Sequence, residues 1–170
     1  MLNGDCMVKA VSNSGPIIHL SEVNCFDALQ IADVVIPSAV YHEVTRHDKP
    51  GSKELRNSHI PVIRLNEEEK IFARRLCGAY GIDAGEAEAI ALCLYGKYQL
   101  FFTDDSGARD VSELYDIEVH GTAGIVARAH SLGLLSYEET KQVMHELHER
   151  SSLYMTERVY RIVMEMIEKG

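Results

Sequence analysis

The stretch MVKAVSNSGPII, residues 7–18, decides the fold because it carries a short hydrophobic strand directly into the start of a helix. Residues 7–12 have the apolar, Val-containing pattern of a strand, and the Ser, Asn, Gly and Pro that follow favour turns and helix starts. In an open parallel sheet, binding sites lie outside the carboxyl ends of the strands. Asn13 stands at that point, where an acidic residue would make chemical sense.

The same succession of strand and helix repeats along the chain. Each strand pattern is short and rich in Val, Ile or Phe. The predicted strands are residues 7–12, 33–36, 61–65, 99–103 and 116–120. The predicted helices are residues 16–21, 26–31, 38–46, 67–80, 85–95, 106–114 and 122–132, with Gly81, Gly96 and Gly133 as left-handed residues just past helix ends. The alternation predicts an α/β fold, a three-layer α/β/α sandwich with a central, mostly parallel sheet and right-handed crossovers.

The end of the chain has a different pattern. Residues 137–150 and 157–169 are helical with no strand between them, and Val159, Ile162, Val163 and Met166 form an apolar stripe. These helices pack either on the domain or on a partner, so a homodimer is one expected assembly. A length of 170 residues suits one domain. We therefore predict a single domain over residues 1–170, in which residues 136–170 are a C-terminal helical extension.

Composition narrows the class of protein. The chain is 46% hydrophobic and 25% charged, as in a globular protein, and no apolar run approaches the roughly 18 residues that a membrane span needs. The first residues carry no basic segment followed by an apolar one, so we expect a cytoplasmic protein. Cys6, Cys25, Cys77 and Cys93 form no CxxC pair, which indicates reduced buried thiols.

Charge is unevenly distributed. The formal net charge of -9 argues against binding nucleic acid by bulk electrostatics. Residues 46–75, however, contain eight basic and five acidic residues. A solvated helix face and a track for phosphates are equally good explanations of that stretch.

Acidic side chains stand at several strand and helix ends. Asn13 follows the first strand, Asp104 and Asp105 follow a later one, Glu86 lies in the first turn of a helix, and Glu43 lies in the middle of another. Mg²⁺ and Mn²⁺ prefer oxygen ligands, and phosphodiester cleavage by two ions about 4 Å apart needs several carboxylates. Without a cation such a cluster would repel itself and raise its own pKa values. The pattern predicts a divalent-metal site.

Each acid also has a structural explanation. Asp104 or Asp105 could cap the helix that follows. Glu86 and Glu88 in a first turn are favoured by the helix dipole. Glu43 is harder to explain this way, because it shares a face with Val40 and Val44 and an unpaired buried carboxylate costs several kcal/mol.

The order of these motifs resembles the PIN domain superfamily, which comprises metal-dependent nucleases and includes toxins of bacterial and archaeal toxin-antitoxin pairs. Residues 11–18, VSNSGPII, are similar to the opening motif, and residues 36–44, IPSAVYHEV, to the segment that bears the second acid. A less-studied branch is similar in residues 85–92, GEAEAIAL, in Thr103-Asp104-Asp105 with Ala108-Arg109, in the GTAG run at 121–124, and in its two-helix tail.

The resemblance implies a role for each residue. Glu43, Glu86 and Asp105, with the amide of Asn13, would hold Mg²⁺ or Mn²⁺, and Asp104 would act as a ligand or an outer-shell partner. The catalytic set is then Glu43, Glu86, Asp104 and Asp105. The expected substrate contacts are Ser14, Arg46 and Arg109. Asp83 and Glu88 are neighbouring acids, and the sequence leaves open whether either of them joins the site.

Asn13 departs from the family, whose residue there is normally a metal-anchoring aspartate. An amide oxygen can coordinate but brings no charge, which should weaken the metal site. Natural loss of activity, compensation by an acid such as Asp104, and an Asp masked by engineering or deamidation all stay open.

The resemblance implies a ribonuclease that hydrolyses single-stranded RNA, with an antitoxin as a partner if the protein is a toxin. A second hypothesis is an inactive PIN domain that binds RNA or protein, which Asn13 favours. A response-regulator receiver is disfavoured because no phosphoacceptor with a partnering Lys is evident. His145 and His148 are expected to be solvated rather than zinc ligands, and His19 to pack.

Overall fold

The computed structural model describes residues 7–169. Its strands are β1 (Lys9–Ser12), β2 (Asp33–Pro37), β3 (Val62–Ile63), β4 (Leu100–Phe102) and β5 (Glu118–His120). They form one all-parallel sheet in the order β3-β2-β1-β4-β5. The predicted α/β/α fold with a parallel sheet is confirmed.

The helices connect and cover the strands. They are α1 (Ser14–Glu22), a 3-10 helix (Phe26–Ile31), α2 (Ser38–Thr45), α3 (Ser52–Asn57), α4 (Glu67–Tyr80), α5 (Ala84–Gly96), α6 (Ser106–Leu114), α7 (Thr122–Ser131), α8 (Tyr137–Glu149) and α9 (Glu157–Lys169). The predicted bounds of α4 and α6 are confirmed. Helix α3 was not predicted, because its six residues are too few to produce a helical period.

The two faces of the sheet carry separate apolar cores. Side chains alternate along β1, so Ala10 packs with Phe102 on one face and Val11 packs with Phe101 on the other. Helices α1, α7, α8 and α9 contribute to the first core. Helices α4, α5 and α6 contribute to the second. The carboxyl ends of β1 and β4 therefore lie side by side between two packed layers.

Four of the five described strands are shorter than predicted, whereas β2 extends one residue further, to Pro37. Met7 and Val8 are 45% and 44% exposed and lie before β1. The predicted strand 61–65 is reduced to Val62–Ile63, beside the carboxyl-terminal half of β2. Pro61 has no N–H to donate to a ladder, so β3 cannot extend toward its amino end.

Local sequence signals set several helix ends. Asn66 and Glu69 form a capping box at the start of α4, as Asp83 and Glu86 do at α5. Gly81 and Gly133 have φ of +70° and +74°, as predicted. The prediction for Gly96 is wrong: it is the last residue of α5 and the left-handed residue is Lys97. A Cβ at Gly96 would overlap the ring of Tyr98, so close approach explains that glycine.

The C-terminal helices pack on the sheet's first core. Met144, Leu147 and Ile167 are buried there, whereas Ile162 and Met166 of the predicted stripe are 47% and 63% exposed. The stripe therefore divides: Val163 faces the core, while Val159, Ile162 and Met166 face outward.

The two histidines of α8 differ from one another. His145 is exposed. His148 stacks on Tyr160, with ring centroids 4.8 Å apart, and its Nε2 lies 3.1 Å from Glu157 Oε2. The prediction that both are solvated is therefore wrong for His148.

The structure also bears on the cysteines and on the question of membrane spans. Cys25 and Cys93 are buried free thiols, Cys77 is partly exposed, and Cys6 lies outside the described residues. Within residues 7–169, every helix is too short or too polar to cross a membrane.

Gly51 provides a test of how the start of α3 packs against α1. Its φ is +90°, and an added Cβ would lie 2.9 Å from Ile17 Cγ2 and 3.0 Å from the Ile17 carbonyl oxygen. We predict that Gly51→Ala lowers the free energy of unfolding by about 2–4 kcal/mol, because backbone strain and overlap add. Gly81→Ala is the matched control: its φ is +70° with nothing within 4 Å of the new Cβ, so it should lose only about 1 kcal/mol. Equal losses in urea unfolding would contradict the packing argument.

Candidate functional site

Asn13 links β1 and β4 at their carboxyl ends. Its backbone N–H donates to the Phe102 carbonyl at 2.8 Å. Its side chain caps α1, with Oδ1 accepting from Ser14 N at 2.8 Å, and its Nδ2 donates to Thr103 Oγ1 at 3.3 Å. Thr103 Oγ1 also accepts from Asp105 N at 3.2 Å. The side chain is therefore held in one orientation, with its amide N–H directed at the hydroxyl of Thr103.

Glu43 approaches the same edge from α2. Its Oε1 accepts from Ser14 Oγ at 3.0 Å and from Lys49 Nζ at 3.1 Å, and its side chain is 36% exposed. The expectation of an unpaired carboxylate on a buried face is wrong, since α2 turns Val40 and Val44 inward and leaves Glu43 at the rim. Lys49 had no sequence signal as a site residue, because it lies in the turn after α2, outside any recognisable motif.

Glu86 is the buried acid of the site, at 8% exposure. In the capping box its backbone N–H donates to Asp83 Oδ1, while its Oε2 accepts from Asp83 N at 3.0 Å. Burial raises the pKa of Glu86 to about 7, and the nearby charges of Asp83, Asp105 and Glu43 add to the increase. The capping box gives Asp83, whose role the sequence left open, the position of N-cap of α5. The shift also indicates that Asp83, Asp105 and Glu43 each lie close enough to Glu86 to act on its charge.

Asp105 comes after β4 and caps α6, where its Oδ1 accepts from Ala108 N at 2.8 Å. The residue is exposed. The capping role that the sequence left open for either aspartate therefore belongs to Asp105.

The Asp104 side chain lies where the end of β4 meets α1 and α7. Its Oδ1 accepts from Thr122 N at 2.7 Å, and its Oδ2 accepts from Thr122 Oγ1 at 2.6 Å and lies 2.7 Å from His19 Nδ1. His19, which the sequence predicts to pack rather than to bind metal, is partly buried and also pairs with Asp104. The three residues join β4, α1 and α7, and Gly121 leaves room for them: a Cβ there would lie 3.0 Å from Asp104 Oδ1.

The remaining candidates lie around this centre. Arg46 is exposed at the end of α2. Arg109 lies beside Gly121, since a Cβ there would be 3.5 Å from its Nη2. Glu88 Oε2 accepts from Ala39 N at 3.3 Å, at the start of α2, and so supports that helix.

The donor set suits a hard divalent cation. Glu43, Glu86 and Asp105 each use one carboxylate oxygen to bind part of the protein. The other oxygens, Glu43 Oε2, Glu86 Oε1 and Asp105 Oδ2, accept no hydrogen bond from residues 7–169. Three unpartnered carboxylate oxygens, one of them from the acid whose pKa is raised, fit Mg²⁺ or Mn²⁺. In the conformation described, no three His, Cys, Asp or Glu residues among 7–169 already have the geometry of a metal site.

The elevated pKa of Glu86 makes stability depend on pH. Between its ordinary value of 4.5 and about 7, the folded chain holds a proton that the unfolded chain has lost, so stability should fall as pH rises through this window. We predict that Glu86→Gln flattens the decline in metal-free buffer, measured by urea unfolding at pH 5 and pH 8. Glu113→Gln, at an exposed position on α6, is the control. An unchanged slope in Glu86→Gln would contradict the assignment.

The neighbouring aspartates should respond differently to amidation. Asp104→Asn removes an acceptor from a pair of hydrogen bonds to Thr122, so we predict a loss of about 1–3 kcal/mol in the free energy of unfolding. Asp105→Asn should cost less than about 0.5 kcal/mol, because Asn caps a helix as well as Asp does. Chemical denaturation of both variants measures the difference. The reverse order would show that Asp104 is not the residue that joins these elements.

Comparison with known proteins assigns the family. Residues 9–169 match DUF3368, a family of PIN domains. A search of curated proteins finds no match to the chain. The matched segment includes every strand and every candidate site residue described above. PIN domains have a nuclease-type fold, are generally dependent on divalent metal, and are associated with nucleic-acid binding. The chain belongs to the PIN domain family.

Proposed function

We propose that the protein is a metal-dependent ribonuclease that hydrolyses phosphodiester bonds in single-stranded RNA. The observation that carries this proposal is the set of three unpartnered carboxylate oxygens of Glu43, Glu86 and Asp105 beside the end of β1. Such oxygens are suited to a cation that must also contact a phosphate. A toxin role, with an antitoxin as partner, is the finer part of the proposal and is supported by the family resemblance. A homodimer and a cytoplasmic location stay predictions.

Glu43, Glu86 and Asp105 would hold the Mg²⁺ or Mn²⁺. A bound divalent ion supplies charge to a phosphate and lowers the pKa of water that attacks it. The protein holds the ligands in place: Ser14 Oγ and Lys49 Nζ fix Glu43, the capping box fixes Glu86, and the cap of α6 fixes Asp105. Positioning of this kind keeps like charges together before the substrate arrives.

Asp104 is proposed as a positioning residue. Both of its oxygens bind Thr122, and one also pairs with His19. This arrangement favours the outer-shell role over direct ligation and argues against compensation for Asn13 by Asp104. By fixing the turn after β4, Asp104 would aim Asp105 at the metal.

Substrate contacts are proposed for Ser14, Arg46 and Arg109. Arg46 is exposed next to Lys49, and among residues 7–169 neither Arg46 nor Arg109 is in an ion pair. Guanidinium groups without a carboxylate partner are suited to binding phosphate bidentately. These residues would place the RNA backbone along the rim formed by α2 and α6, despite the net charge of -9.

A second function is favoured by one observation. Both ends of the Asn13 side-chain amide form hydrogen bonds: its oxygen caps α1 and its N–H donates to Thr103. An aspartate would lose that donor and would add a negative charge near Asp105, to which residue 13 is linked through Thr103. A PIN domain with this site could have lost catalysis and serve as a module that binds RNA or protein.

Cleavage of a labelled single-stranded RNA in Mn²⁺ distinguishes the two. We predict cleavage by the unsubstituted chain that Glu86→Gln reduces by about a hundredfold or more, since one ligand is lost. Asn13→Asp should raise the rate at least about tenfold, because the added charge favours the cation by about 1.4 kcal/mol or more.

Two controls make the outcome decisive. EDTA should abolish cleavage, and Asp110→Asn, on the exposed surface of α6, should leave the rate unchanged. Cleavage only by Asn13→Asp would favour the binding module. Inactivity of all variants, with RNA still bound in a gel-shift assay, would overturn the nuclease proposal.

A further inference from the structure

A concave surface lies away from the carboxylates. It is a groove of about 900 Å³ between the 3-10 helix, the outer edge of β2, α3 and the segment that leads into β3. Its lining includes the apolar residues Phe26, Leu29, Val34 and Ile60. The lining contains none of the residues assigned above to metal or substrate. Any ligand of this groove would therefore bind separately from the nuclease site.

The floor of the groove is an open sheet edge. Asp33 N donates to Val8 O at 2.9 Å and so faces β1, while Ile36 N donates to Pro61 O at 3.0 Å and so faces β3. Because backbone groups alternate along a strand, Val34 faces the same way as Ile36. Neither the N–H nor the C=O of Val34 has a partner among residues 7–169. Two hydrogen-bonding groups of a residue only 7% exposed are thus directed into the groove.

The segment that leads into β3 cannot complete this edge. The register pairs Ile36 with Val62, so the N–H that would reach the Val34 carbonyl belongs to residue 61. Residue 61 is Pro61, which has no N–H. The ladder therefore stops at Ile36, and the amino-terminal half of β2 is left for another strand.

The charges around the groove indicate which kind of ligand it would bind. Asp27, Asp33 and Glu54 line it and are exposed, and none is in an ion pair with residues 7–169. Lys53 is the basic counterpart in the lining, with His59 beside it. The rim is therefore acidic, which disfavours a nucleic acid and favours Lys or Arg side chains.

We propose that this groove binds an extended segment of a partner protein by strand addition to β2. The segment would hydrogen-bond to the backbone of Val34 and place an apolar side chain among Phe26, Leu29 and Ile60. Alternate Lys or Arg side chains would face Asp33 and Glu54. Main-chain hydrogen bonds give affinity in this mode, and the alternating side chains give specificity. The proposal is independent of the nuclease activity, because the two sites share no residue.

The test uses a display library of random twelve-residue peptides, selected on the full chain. Enriched peptides should alternate apolar and basic residues. Their affinity should fall at least about fivefold for the double variant Asp33→Lys with Glu54→Lys, whose changes are at exposed positions. The matched control is Asp110→Lys with Glu113→Lys, which makes the same change of net charge on exposed positions of α6, and it should leave affinity unchanged.

Amide exchange by NMR reports on the backbone directly. In the free chain the Val34 amide should exchange faster than those of Asp33 and Val35, and an enriched peptide should slow it at least about tenfold. Val34→Pro removes the N–H from an edge position where Pro is tolerated, so it should weaken peptide binding. RNA cleavage should be unchanged by the peptide.

Four results would overturn the proposal. They are a library that yields no enriched peptide, enrichment of acidic peptides, protection of Val34 that appears with protein concentration alone, and protection in the dilute free chain that is lost when residues 1–6 are removed. The third result would assign the groove to a second copy of the chain, and the fourth to its own amino terminus.

Discussion

The parallel pairing of β1 with β4 places the whole site. Ser12 is in register with Phe102, so the chain leaves both strands at the same level, and the Asn13 amide donates to the Phe102 carbonyl at 2.8 Å. From that point two helices begin next to each other. Their caps, Asn13 and Asp105, are linked through Thr103 Oγ1. Strand pairing and helix capping therefore bring an amide and a carboxylate together before any ligand is involved.

Electrostatics then determines what the site can do. A buried Glu86 with a pKa of about 7 is a group whose charged form is disfavoured by its surroundings. A proton relieves that cost, and a divalent cation would relieve it more completely. Each acid already uses one oxygen as a structural acceptor, so metal binding would require no caps to be broken. Asn13 reduces the repulsion further, which stabilises the metal-free fold and weakens the attraction for a cation.

Much of the fold could be predicted because its signals are local. Short apolar strands, glycines after α4 and α7, and the Asn66 and Asp83 caps all act within a few residues of each other. What could not be predicted depends on contacts between distant elements. His19 binds Asp104 across 85 positions of sequence, and Lys49 reaches Glu43 from an irregular turn. The short length of β3 follows from Pro61, but this could be predicted only with knowledge of the register between β2 and β3.

The proposed function depends on Glu43, Glu86 and Asp105 forming a divalent-metal site. The decisive experiment is anomalous diffraction from crystals soaked in Mn²⁺, with Glu86→Gln crystals treated identically. We expect a peak in contact with these three carboxylates, weaker or lost in Glu86→Gln, and no peak at Asp104. A peak at Asp104 and His19 instead, or no peak at the three carboxylates at saturating Mn²⁺, would show that these residues do not form the site.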